Sequence, residues 1–189
     1  MLRPYFRERA VEYARRWAFD RNPLFGVFDD LGGDCTNFVS QCVYAGCCVQ
    51  NYTKTFGWYY INMNDRAPAW TGVVPFYDFI TGSGDFAAND DRIGPFGREV
   101  VRGDVEIGDV VELQNGYGEF YHSAIISEIA DGEIFVCAHA DDSLDRPLSS
   151  YRLAEGYRYV HIEGAIVDYP DDAECFNELL NGEAPPIEE

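Results

Sequence analysis

The sequence predicts an α+β fold, with helices first and an antiparallel sheet after them. Three observations carry this. Residues 4–19 repeat apolar side chains at helical spacing. A second apolar-faced helix is signalled from Cys35 to Gly46. From about Glu99 the pattern changes to β-rich segments of period two. A run of helices followed by a run of strands is the order of segregated layers, not of alternating βαβ units.

In the first helix, Phe6, Ala10, Tyr13, Ala14 and Trp17 form the apolar stripe, and arginines and glutamates occupy the rest. Asn22-Pro23 stops it. A loop leads to Gly32-Gly33. Asp34 then stands as N-cap of the second helix and Gly46 as its C-terminal stop. Phe38, Val39, Cys42 and Val43 share the face of Cys35. From Gln50 to Pro95 the chain is irregular and aromatic, with a short helix over Val74 to Ile80.

Strands are expected at 109–113, 121–129, 133–140 and 157–169. Asp131-Gly132 is a hairpin signal between the middle two. A two-residue turn there would set His122 opposite Asp141 and Ala124 opposite His139. His122 would then share a sheet face with both, provided no extra residue enters the ladder. The reading is one domain over 1–170 and an acidic tail over 171–189. That tail is a frayed end with room for a short helix around Cys175.

With 189 residues, 47% of them hydrophobic, the chain can bury a full core. No apolar run approaches the roughly 18 residues of a membrane span. The formal net charge of −19 repels nucleic acid and anionic lipid, so neither is expected as a partner. Much of that charge lies in AANDDR, HADDSLD and the tail, where a solvated surface explains it. The charged N-terminus lacks a signal peptide's apolar core. A cytoplasmic location is therefore expected, or an extracellular one if the chain is a fragment of an exported protein.

The cysteines are Cys35, Cys42, Cys47, Cys48, Cys137 and Cys175. No CxxC pair appears, and Cys42 with Cys47-Cys48 is a poor zinc pattern, so no metal or other cofactor is expected. A chain of this length does not need disulfides. Most of the six read as buried free thiols.

Cys35 stands apart. A cysteine at a helix start lies at the positive end of the macrodipole, which favours the thiolate. The glycines before it allow a sharp turn. Asp34 opposes the thiolate, so a nucleophile here needs a histidine nearby, and only His122, His139 and His161 exist. Cys35 as nucleophile, His122 as base and His139 or Asp141 as the orienting group would form a triad from one helix end and two strands. A small core cysteine and ordinary strand histidines are the plain alternative. Asp34, Thr36, Trp58, Tyr59 and Trp70 are the candidate substrate contacts, although Asp34 also serves as a cap and the aromatics also suit a loop's satellite core.

The stretches GGDCTNFVSQCVYAG, IGDVVEL and YHSAIISEIADGEIFVCAHADD resemble the papain-like, CHAP-like NlpC/P60 cysteine peptidase superfamily. Within it, YARRWA, NPLF, GWYY and HS resemble the group named "putative amidase domain", over most of 5–150. The resemblance implies a cysteine helix packed on an antiparallel sheet. It also implies a bacterial amidase or thiol peptidase acting on small, possibly peptidoglycan-derived peptides through a thioester. Cys35, His122 and His139 would be its catalytic set. An inactive peptide-binding module of the same fold, or an acyltransferase with the same Cys-His pair, is the alternative. Nothing in the sequence fixes the oligomeric state.

Overall fold

A computed structural model describes residues 1–88, 92–168 and 175–183. Parts of the AANDDR loop and of the acidic tail lie outside the described residues. The elements in chain order are β1 (Leu2–Arg3), α1 (Arg7–Trp17), α2 (Cys35–Cys47), β2 (Tyr60–Asn62), β3 (Asp65–Arg66), α3 (Pro68–Thr71) and α4 (Val73–Thr81). They continue with β4 (Gly94–Val100), β5 (Val110–Gln114), β6 (Phe120–Ala130), β7 (Glu133–Ala138), β8 (Ser143–Pro147), β9 (Gly156–Ile166) and α5 (Phe176–Asn181). The class is mixed α and β around one antiparallel sheet. Strands run β1-β9-β5-β6-β7-β8, and β4 also pairs with β9.

α1 carries Glu8 in its first turn and Arg15 and Arg16 in its last, both favourable to the helix dipole. Its buried face, Ala10, Val11, Tyr13, Ala14 and Trp17, follows the expected stripe. α2 is the central element: all its residues except Tyr44 are buried. It ends one residue beyond the expected glycine stop, and Cys48 takes the left-handed cap position (φ 53°) with its N–H on the Tyr44 carbonyl. Gly46 serves packing instead, because a Cβ there would sit 2.2 Å from the Tyr5 ring.

Two cores flank the sheet. On one face α1, α2 and α4 pack against Val110, Ile125, Cys137, Val160 and Ile162. The other face holds Val111, Leu113, Ala124, Ile126, Val136, Ala138 and Leu148. The Gly108-Asp109 pair ahead of β5 ties these layers together. Gly108 (φ 79°) leaves room for Arg7, whose backbone would meet a Cβ at 3.2 Å. Buried Asp109 accepts the N–H groups of Glu106 and Ile162, bonds His161 Nδ1 at 2.8 Å and pairs with Arg7.

Several elements depart from the sequence pattern. β4 reads GPFGREV and looks like a loop. Yet Gly97 is required there because a Cβ would lie 2.0 Å from the His161 carbonyl oxygen on β9. β8 is a short edge strand ending in proline, which weakens its signal. The aromatic stretch forms the β2–β3 hairpin and α3. One correction concerns the cysteines. Cys35, Cys42, Cys47 and Cys137 are free and buried, but Cys48 and Cys175 form a disulfide 127 residues apart. It anchors α5 near α1, where the Leu179 carbonyl accepts from Trp17 Nε1 (3.2 Å) and Asn22 Nδ2 (2.8 Å).

Asp131 and Gly132 both have positive φ and close the expected hairpin. The pairs Ala130–Glu133, Ile129–Ile134 and Glu128–Phe135 keep the expected register. At Ser127 a bulge slips it by one, giving Ile126–Val136 and Ile125–Cys137. From there to the strand's start, side chains on β6 meet the other parity of β7.

Candidate active site

Cys35 opens α2 after Gly32 and Gly33, whose φ of 107° and 108° only glycine adopts readily. Its side chain is almost wholly buried. The sulfur lies 3.8 Å from Thr36 Oγ1, which is 3.2 Å from Ser123 Oγ on β6. Burial pushes the thiol up from its ordinary value. Hydrogen bonds from the Ser123 main chain, the Thr36 hydroxyl and the Thr36 main chain pull it down, and Asp34 adds to the rise. Burial wins, so the resting group is the thiol.

Asp34 does not cap α2 with its side chain. One carboxylate oxygen accepts the Phe28 N–H and Asn37 Nδ2, both at 2.9 Å. The other lies 2.6 Å from His139 Nδ1 and 3.7 Å from Arg21 Nε. With no exposure, Asp34 is closed to a substrate amine, against expectation. His139 Nε2 lies 2.8 Å from the Trp17 carbonyl oxygen, and its ring stacks on Phe38 at 3.9 Å between centroids. Both ring nitrogens thus face oxygen atoms.

His122 lies on β6 beside Leu113 of β5, on the face of Ala124 and Ile126. Its Nε2 is buried with no hydrogen-bond partner. Burial lowers its pKa to about 4; the Asp141 charge opposes this and Arg146 reinforces it. The imidazole is therefore neutral at pH 7, and Cys35 and His122 rest as thiol and neutral imidazole. The ring centroid lies 5.8 Å from that of Tyr151. A cavity of about 230 Å³ opens here, lined by Tyr121, His122, Asp141, Arg146, Tyr151 and Arg152 among others.

The bulge at Ser127 sends His139 to the α2 side of the sheet and His122 to the other. His139 bonds Asp34 and Trp17, not His122, which corrects its expected orienting role. Asp141 is the carboxylate that acts on His122, and it is ion-paired with Arg146. Among the described residues, no hydrogen bond joins Cys35 to either imidazole. The link between the sulfur and His122 runs through Ser123, whose main chain bonds the thiol and which directly follows His122 in the chain. Thr36 is buried, its Oγ1 lying between Cys35 Sγ and Ser123 Oγ. Trp58 and Trp70 have no exposed surface and donate their ring N–H groups to Ser40 Oγ (3.1 Å) and Asn37 Oδ1 (2.9 Å). With Tyr59 nearly buried as well, these aromatics are core rather than the walls of a cleft.

Glu112 escaped the sequence reading. It pairs with Ser123 across β5–β6 and with Arg158 across β5–β9. Burial raises its pKa to about 8, although Arg158 pulls the other way by charge and hydrogen bonding. Arg158 lies between the rings of Tyr77 (3.6 Å) and Phe120 (3.9 Å). The period of two in DVVEL could have revealed it, since Glu112 shares the inward parity of Val110.

The chain matches the model of the family described as "Putative amidase domain" over residues 4–162, and it belongs to that family. The family's name points to amide hydrolysis in general. A curated relative, "Uncharacterized protein YjcM" of Bacillus subtilis (strain 168), is 26% identical over 163 residues. The match covers 80% of this chain and 35% of the relative, so the chain spans about a third of that protein's length. No solved structure matches.

Proposed function

We propose that this chain is a cysteine amidase that cleaves an amide bond of a small peptide through a thioester on Cys35. One observation supports this above the others. The only thiol at a helix start among the described residues meets the main chain of Ser123, and the next residue back supplies an unpartnered imidazole.

His122 takes the thiol proton as the sulfur bonds to the amide carbonyl carbon. The Cys35 N–H, at the positive end of α2, faces the developing oxyanion. On collapse the C–N bond breaks and His122 returns the proton to the departing amine. Water, deprotonated by His122, then breaks the thioester and restores the thiol. His122 projects from the face of β6 away from α2, so its ring must move around the start of β6, beyond the last β6–β7 pair Ile125–Cys137, to reach the thiol; among the described residues no hydrogen bond holds it back. Asp141 orients the ring in this scheme. Papain-like NlpC/P60 kinship, carried over from the motifs, makes murein-derived peptides the first substrates to screen.

The test is a peptide-library hydrolysis screen of wild type, Cys35→Ala and His122→Ala, with and without added amine. Both variants should lose turnover while keeping the fold. Turnover by Cys35→Ala at the wild-type rate sinks the mechanism. Amine adducts would make it an acyltransferase, and no turnover by wild type would favour a binding module.

A further inference from the structure

We propose that the cavity beside His122 is a carboxylate-recognising substrate site, with Arg146 and Arg152 selecting short peptides or N-acyl amino acids that carry a free carboxylate. This rests on the amidase reading for the reaction, but not for the binding.

The protein carries a net charge of −19, yet this cavity gathers two arginines around one carboxylate, Asp141. Arg152 pairs with no carboxylate among the described residues. Arg146 is fixed in place: its guanidinium lies 4.0 Å over the Tyr151 ring, its Nε donates to Ser150 Oγ at 2.8 Å, and it pairs with Asp141. Asp141 is largely exposed (69%) and free to swing off Arg146 when another carboxylate arrives.

Two buried polar atoms at the same cavity lack hydrogen-bond partners: His122 Nε2 and Tyr151 Oη. Burial pushes the Tyr151 phenol up from its ordinary value, with nearby Ser143 and Arg146 pulling the other way, so it rests as a neutral phenol without a well-directed bond. Orphaned buried groups of this kind are costly unless a ligand or water completes them. A neutral imidazole and a phenol suit an amide's N–H and carbonyl, while guanidinium forks suit a carboxylate. Ala140 (φ 64°) and Asp141 (φ 145°) hold strained backbone at the rim, as binding sites often do. The size admits a residue or two of peptide.

Binding is measured by calorimetry on the Cys35→Ala chain, which separates recognition from chemistry. The probes are N-acetyl-alanyl-alanine, its C-terminal amide, and acetate. The acid should bind about tenfold tighter than the amide, the worth of one charge-assisted pair. Arg152→Ala should erase the preference and Arg152→Lys should recover part of it. His122 ring resonances should shift on saturation with the acid. Equal binding of acid and amide, no saturable binding, or acetate binding as tightly as the peptide would overturn the proposal. A retained acid preference alongside full activity of Cys35→Ala would overturn only the cysteine mechanism.

Discussion

His139 Nδ1 lies 2.6 Å from a carboxylate oxygen of Asp34, and both side chains are almost wholly buried. The residue that precedes Cys35 and the last histidine of the GGDC…HS…H series thus lock the start of α2 to the end of β7 and, through Trp17, to α1. Breaking a buried pair strands one polar partner. His139→Ala and Asp34→Ala should each lower unfolding free energy by about 3–5 kcal/mol, and the double variant by less than their sum. Denaturant melts measure this; losses below about 1 kcal/mol for both would show the pair is dispensable.

Activity should have a wide pH plateau. In the proposed cysteine mechanism the competent form holds a thiol and a neutral imidazole. Its acid limb should follow His122 near pH 4 and its alkaline limb Cys35 above pH 9. Profiles of kcat/KM against pH test this, together with alkylation of Cys35, which should be slow at pH 7 and accelerate above pH 9. An acid limb at pH 6.5 or higher would show that the imidazole is not held neutral.

Stability should carry two opposing slopes. His122 titrates near 4 when folded and near 6.5 when unfolded. Between these values the unfolded chain holds more protons, so stability falls as pH drops through the window. The loss is about 3 kcal/mol at its limit and absent above 6.5. Glu112, near 8 when folded and 4.5 when unfolded, works the other way: stability falls as pH rises from 4.5 to 8. His122→Gln should flatten the acid slope and Glu112→Gln the alkaline one. Melts across pH 4–9 would expose an error of sign directly.

Removing the Cys48–Cys175 bond by Cys48→Ser with Cys175→Ser should cost about 2–4 kcal/mol, because it releases a long loop in the unfolded chain. Thermal melts with and without reductant should converge for the variant and differ for the wild type. Equal melts for wild type in both conditions would deny the crosslink a stabilising role.

The sequence displayed the layers well. α1, α2, α4 and four long strands follow from apolar periodicity, and the Asp131-Gly132 turn from its dipeptide. β4 stayed hidden because the glycine that lets it approach β9 is also the usual mark of a loop. The disulfide stayed hidden because its halves lie 127 residues apart, with no local spacing to betray them. Cys35 was visible through the glycines and the helix start. Its electrostatic state was not, since that depends on how deeply the folded chain encloses it. Trp58 and Trp70 show the same ambiguity: an aromatic in a long irregular stretch suits a cleft wall and a core filler alike, and only burial decides.

Ser127 has a consequence for reading kindred chains. A single unpaired residue sorts two imidazoles onto opposite sides of one ribbon. A relative whose hairpin is one residue shorter would bring both to the same side without changing either histidine. Hairpin length, counted from the Asp-Gly bend, is thus as informative as histidine identity when roles are transferred between such proteins.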